Sequence, residues 1–257
     1  MDFAEPLLAG VLRRRRQRFL AEVQLADGGI VTAHCPNTGS MLGCCEPGFR
    51  VWPGPATRPG RRCPCTWELV SVPESGGDGE TLVGINTGRA NAPVHEALQR
   101  RRIPGLDAYP AIRREVPVDN GRIDFPLQSA DGARCFVEVK NVTAAVSGGR
   151  APFPDAVSSR ACRHLRELAR LAAEGHRSVL RYVVQRRDVE CVAPAAEIDP
   201  DYAGTLARVR RDGVEVLAWR GRGTPRGIRG GGGVTGSLQR SRAATRRHST
   251  SGPASMV

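Results

Sequence analysis

The chain has 257 residues, 38 of them Lys or Arg and 26 Asp or Glu, for a formal charge of +12. That length allows one large domain or two small ones with ample core. No stretch approaches the ~18 apolar residues of a membrane-spanning helix, and Met1–Pro6 lacks the basic and apolar regions of a secretory signal. The chain therefore reads as cytoplasmic, with its eight cysteines reduced. The charge is uneven: residues 221–257 hold seven Arg and no acid. The body is then only moderately basic, which suits a polyanionic partner.

From Leu7 to Ile85, short apolar runs alternate with turn residues. Arg18–Leu25 has strand alternation, and Asp27-Gly28-Gly29 is a hairpin turn into Ile30–Ala33. Gly48–Trp52, Thr66–Val72 and Thr81–Ile85 complete about five strands, enough for a small closed barrel of the OB type. Trp52 and Trp67 fit the packing of such a barrel better than base stacking. A helix is expected over Ala92–Arg101, then strands over Ala111–Val118, Arg122–Leu127 and Arg134–Lys140. Asp155 is expected to cap a helix from Ala156, with an apolar stripe of Val157, Ala161, Leu165, Leu168 and Ala172 and a stop at Gly175. Ser178–Val184 reads as a buried central strand, followed by a helix at Asp201–Arg211 and a strand at Val214–Trp219. From Gly221 on, nine glycines and scattered Arg, Ser and Thr point to a disordered tail.

Lys140 is the only lysine of the chain; the other 37 basic residues are arginine. Arginine cannot replace a compact ammonium that holds one water or one phosphate oxygen. Strand alternation puts Glu138 and Lys140 on one face and Val137 and Val139 on the other. A three-residue hairpin loop, Ala130-Asp131-Gly132 with Gly132 left-handed, sets Ser129 opposite Ala133 and Asp124 opposite Glu138. Opposed carboxylates repel unless a cation lies between them. Asp, then Glu-x-Lys on the neighbouring strand, is the pattern of the PD-(D/E)xK nucleases. Oxygen ligands hold Mg²⁺ with water still on it, the metal polarises the phosphate, and lysine orients water or offsets charge. The expected catalytic residues are therefore Asp124, Glu138 and Lys140, with Asp124 and Glu138 as the Mg²⁺ ligands. Glu96 is either a further acid or a solvated helix charge. Pro154-Asp155 follows the Glu-x-Lys element and is not the leading PD of the pattern.

Candidate nucleic-acid contacts are Arg13, Arg15 and Arg18 in the first basic run, and Asn37 and Thr38 in the Pro36–Gly39 turn. Arg122 and the helix arginines Arg160, Arg163 and Arg166 complete the set. The turn equally needs no ligand, and the arginines equally fit solvated faces. His34-Cys35, Cys44-Cys45 and Cys63-Pro64-Cys65 lack the spacing of structural zinc, so no zinc is expected.

The run His34-Cys35-Pro36-Asn37-Thr38-Gly39-Ser40-Met41, with Arg18–Ala21, Thr66–Leu69, Ile85-Asn86-Thr87 and Ala90-Asn91, resembles the sugar fermentation stimulation protein A (SfsA) family. So do Arg113–Val116, Arg122–Phe125, Glu138–Thr143, Phe153–Ala156 and His164–Leu168. The resemblance covers about residues 2–219. It departs at Cys63 and Cys65, at Arg163 where a lysine is common, and beyond Arg220. It implies an OB-like domain, a nuclease-like domain, DNA binding and a regulatory link to sugar (maltose) metabolism. The expected architecture is α+β. An OB-like β-barrel over 1–85 precedes an α/β PD-(D/E)xK restriction-endonuclease-like domain over 86–220, with 221–257 as tail. The expected function is DNA binding, single- or double-stranded, with Mg²⁺-dependent phosphodiester cleavage. The alternative is a non-catalytic DNA-binding regulator.

Overall fold

The structure, a computed structural model, describes all residues except 57–59, 75–77, 120, 145–147 and 234–257. The N-terminal strands are β1 (Gly10–Arg16), β2 (Leu20–Leu25), β3 (Ile30–His34), β4 (Arg50–Pro55), β5 (Cys65–Pro73) and β6 (Glu80–Gly84). β1, β2 and β3 form an antiparallel meander, and β4 joins β1 to β5. Cys65 and Thr66 then pair in parallel with Ala33 and His34, which closes five strands into a barrel. β6 hangs on the outer half of β5. The Asp27–Gly29 turn is as expected: Gly28 has φ 86° and the Asp27 carboxylate accepts from the Gly29 amide at 2.9 Å. The barrel's fifth strand is therefore β1, obscured in the sequence by its arginines, and not the expected Thr81–Ile85, which is β6. Leu12, Val23, Met41, Trp67, Val70 and Ile85 fill the barrel with no exposed surface. Trp67 Nε1 donates to Leu69 O, whereas Trp52 is half-buried beneath Arg50.

The second domain begins with α1 (Asn91–Gln99), β7 (Ala111–Ile112), β8 (Val116–Val118), β9 (Gly121–Ile123), β10 (Phe125–Gln128) and β11 (Arg134–Val142). It continues with β12 (Arg150–Phe153), α2 (Ser159–Ala173), β13 (Arg177–Val184), β14 (Cys191–Pro194), α3 (Pro200–Arg211), β15 (Glu215–Thr224) and β16 (Gly227–Gly233). Its main sheet runs β16-β15-β13-β11-β10-β7. β11, β13 and β15 are parallel at its centre, joined by crossovers through α2 and α3; the others are antiparallel. Side chains alternate across it as strand geometry requires. Cys135, Val137, Val139, Val179 and Val183 pack with α1, while Phe136, Leu180, Tyr182 and Val184 pack under α2 and α3. β8–β9 and β12–β14 form two small sheets. Among the described residues, no helix is long and apolar enough to cross a membrane.

Three further expectations need correction. The runs Ala111–Val118 and Arg122–Leu127 are each split, into β7 and β8 and into β9 and β10, with β8 and β9 paired apart from the main sheet. α2 starts at Ser159, not Ala156: Ser158 is the cap, accepting from the Ala161 amide at 3.1 Å, and Val157 is exposed. Gly175, with φ 86°, ends that helix as expected. The tail expected from Gly221 is not found over its first part, because residues 221–233 belong to the β15–β16 hairpin. Its glycines are there for space. A Cβ on Gly230 would run into the Trp219 ring, and one on Gly227 into the backbone of Met1 and Asp2. The remainder of the expected tail, 234–257, lies outside the described residues.

Candidate active site

The loop between β10 and β11 sets the site. Phe125 pairs with Val137 and Gln128 with Arg134, Ser129 N donates to Ala133 O at 2.9 Å, and Gly132 has φ 88°. This is the three-residue loop, and its register carries Asp124 to the position opposite Glu138. Glu138 points toward α2 and is only 1% exposed. Its Oε1 accepts from Lys140 Nζ at 2.5 Å and meets Nδ1 of His164, a buried residue of α2. His164 Nε2 accepts from Arg160 Nε at 3.4 Å. A neutral imidazole that accepts at Nε2 carries its proton on Nδ1, facing Glu138; Lys140 Nζ also lies 3.4 Å from that nitrogen. The other carboxylate oxygen, Oε2, is buried with no hydrogen-bond partner.

Asp124 accepts from Asn91 Nδ2 and from the Val139 amide, each at 2.8 Å. Asn91 is the first residue of α1, so that helix fixes one acid while α2 fixes the other. Burial, then the charge of Glu138, push the Asp124 carboxyl above its ordinary value. Burial pushes Glu138 upward too, but the hydrogen bonds and charges of His164 and Lys140 outweigh it and leave Glu138 below its ordinary value. The two close acids are thus shifted in opposite directions, Glu138 toward its charged form and Asp124 away from it.

These groups open into a cleft of about 490 Å³ between the domains. Arg18, Asn37, Thr38 and Gly39 line its barrel side; Asn91, Asp124, Glu138, Lys140 and Arg160 line the other. The domains are latched at its end: Asp155 accepts from the Met41 amide at 2.8 Å, and its carbonyl accepts from Ser40 Oγ at 2.6 Å. Asp155 therefore joins the domains rather than capping α2.

The expected phosphate contacts divide. Arg18 (φ 62°), Thr38 and Arg160 present themselves to the cleft. Asn37 lines it while its Oδ1 accepts from the Gly39 amide, an Asx turn. Arg15 is spent elsewhere: its guanidinium donates to the carbonyls of Arg18, Asn37, Gly39 and Ser40, holding the turn in shape. Arg13 is exposed and donates to Gln24, and Arg122 pairs with Glu115. Neither lines the cleft, nor do the exposed Arg163 and Arg166. Glu96 is remote from it and pairs with Arg100 and the amino terminus. His164 and Asn91 are the site residues that residue patterns missed. The available signal for His164 was a polar residue beside the apolar stripe of an amphipathic helix.

The residues suit a hard divalent cation, since Glu138 Oε2 is a buried carboxylate oxygen without a partner and Asp124, raised in part by the charge of Glu138, is a second acid close by. Among the described residues, no group of three or more His, Cys, Asp or Glu could hold a metal ion. Mg²⁺ tolerates a protein set of one or two carboxylates because it keeps several waters.

A five-stranded OB barrel joined to a restriction-endonuclease-like α/β domain defines the class of this protein. The profile of the SfsA N-terminal OB domain matches residues 14–85, and that of the sugar fermentation stimulation protein RE domain matches 88–227. The chain is 50% identical over 233 residues to a sugar fermentation stimulation protein homolog of Halorhodospira halophila, covering 89% of this chain and 95% of that one. It is 47% identical over 222 residues to the homolog from Shewanella baltica strain OS185, covering 86% and 92%. It also resembles the solved structure of Pyrococcus furiosus SfsA in complex with Ca²⁺, at TM-score 0.79 and 25% identity, covering 92% of this chain and 98% of that one. The chain belongs to the sugar fermentation stimulation protein (SfsA) family.

Proposed function

We propose that the interdomain cleft binds DNA and hydrolyses a phosphodiester bond with Mg²⁺, in the manner of the PD-(D/E)xK nucleases. The observation that carries this reading is the opposition of Asp124 to Glu138, with Lys140 beside them, at the floor of a cleft open to polymer. Oδ atoms of Asp124 and Oε2 of Glu138 would hold the ion. When bound, Mg²⁺ would supply polarisation of the phosphoryl group and a more acidic water. Lys140 sits against Glu138 Oε1, from where its ammonium reaches developing negative charge on the phosphate. His164 keeps Oε1 engaged, so that Oε2 is the oxygen left for a cation. Arg160 and Arg18, on facing walls, would grip the phosphates on either side of the scissile bond. The Ca²⁺ named for the Pyrococcus structure supports a divalent cation in a related fold, and Ca²⁺ is a hard oxygen-seeking ion like Mg²⁺. A cytoplasmic setting belongs to the same reading, since all eight cysteines are unpaired.

The test is incubation with single-stranded DNA, duplex DNA and RNA in Mg²⁺ or Mn²⁺, beside the Lys140→Ala variant. Cleavage by the wild type that the variant loses is the expected result. Equal binding by both proteins, with no cleavage by either, would instead make this a non-catalytic regulator acting through DNA binding.

A further inference from the structure

A second cavity, of about 450 Å³, lies on the α1 side of the main sheet, opposite the face that carries Glu138 and Lys140. At its base is Arg181, on β13. The residue is 5% exposed, and its Nε is buried with no hydrogen-bond partner. Its guanidinium lies 6.0 Å from the Trp219 ring centroid. Burial pulls its pKa down to about 10, with no acidic neighbour among the described residues to oppose that fall. A charge held out of water normally has a counter-charge or a ligand, and a cation–π contact with one ring replaces neither in full.

The cavity is rich in positive charge. Arg100, Arg102, Arg181 and Arg229 line it with one acid, Glu96, which Arg100 and the amino terminus hold, while Asp2 pairs with Arg229 at 2.7 Å; the cations remain in excess. Arg102 and Arg229 are exposed at the rim, whereas Pro93, Ala97 and Trp219 give apolar wall. Guanidinium forks match tetrahedral oxyanions. The volume exceeds the needs of a bare ion and falls in the range of small-molecule sites. The excess of cations matches the nearly two negative charges of a phosphomonoester at neutral pH better than the single charge of a carboxylate.

We propose that this cavity is a second site, separate from the catalytic cleft, that binds a small phosphomonoester with an apolar body, Arg181 being the buried counter-charge and Arg102 and Arg229 the gate. The site rests on none of the residues assigned to phosphodiester hydrolysis, so either assignment can fail alone.

The test is calorimetric titration of the full chain with inorganic phosphate, adenosine 5′-monophosphate, adenosine and a short single-stranded DNA. Wild type is compared with the Arg181→Met, Arg102→Ala and Lys140→Ala variants. The monophosphate should saturate at about 1 mM or tighter and adenosine should not. Arg181→Met should weaken binding at least about tenfold while raising the Tm of the ligand-free protein, because an uncompensated buried charge has gone. Arg102→Ala, at the exposed rim, should weaken binding less, and Lys140→Ala should leave it unchanged. The proposal is overturned by an unsaturable monophosphate, by equal affinity for inorganic phosphate or adenosine, or by binding that survives Arg181→Met. It is equally overturned if Lys140→Ala abolishes binding, which moves the ligand to the catalytic cleft, or if only the DNA binds through Arg181.

Discussion

In the barrel, charges are answered where they stand: Arg14 and Arg16 by Glu22, Arg50 by Glu80, and the buried Glu68 by Arg89 and Asn86. In the α/β domain the main sheet buries Glu138 on one face and Arg181 on the other, each with an atom left without a partner. Exposed pairs of the first kind contribute about 0–1 kcal/mol each, so the barrel's arginines say little about function singly. Buried, incompletely paired charges are costly and mark places where something else is to bind. The barrel supplies a wall, shaped by Arg15 within it and latched by Asp155 across the cleft. Under the proposed nuclease reading, the α/β domain supplies the chemistry.

If that division holds, the largest effect belongs to Lys140. Lys140→Ala should lower cleavage by about 10²–10³-fold with DNA affinity nearly kept, measured by single-turnover cleavage beside a binding isotherm. Asp124→Asn should come next. In the metal-free protein Asp124 has a folded pKa above its unfolded one, so the native state binds more protons between the two values and stability falls as pH rises through them. The variant should lose that slope, while its amide NH2, set against one of the two donors that Asp124 accepts from, offsets the gain in stability at neutral pH. It should also lose the stabilisation expected from Mg²⁺ or Ca²⁺ in wild type, about 2.7 kcal/mol at a hundredfold excess over Kd, and the rise in Tm that goes with it. A thermal melt series over pH and metal reads both. Smaller still is Gly39→Ala. The added methyl meets the Asp155 carboxylate, so the turn must shift and the latch to Met41 weaken, at a cost of about 1–3 kcal/mol. Denaturant unfolding should show the loss, and weaker DNA binding should accompany it.

The opposition of Asp124 and Glu138 was legible because a glycine at a three-residue loop permits few registers, and a one-residue slip would turn every side chain to the wrong face. Val157 was wrongly placed on the α2 stripe because Asp155 looks like a cap, yet its carboxylate serves a residue over a hundred positions away; no local pattern carries that. The β15–β16 hairpin was lost for a related reason. Glycines that a propensity scale counts against a strand are required there by the Trp219 ring and the first residues of the chain. Arg181 was invisible and His164 only faintly marked, for want of a partner in sequence: what makes each notable is what surrounds it after folding.

The smallest effects separate the arginines that the sequence could not tell apart. Arg160 and Arg163 lie one turn apart at the start of α2, and Arg166 follows at the same spacing, so charge and periodicity rank them alike. The fold does not: Arg160 lines the cleft beside His164, while Arg163 and Arg166 face solvent away from it. A phosphate contact carries its own salt dependence, and removing one should lower the slope of log K against log salt by about 0.9 for duplex DNA. Arg160→Ala and Arg18→Ala should each show that change, whereas Arg163→Ala and Arg166→Ala should move affinity less than about twofold and leave the slope intact. A slope change at Arg166 equal to that at Arg160 would place DNA along the outer face of α2 rather than between the domains, and the barrel would then have no part in binding.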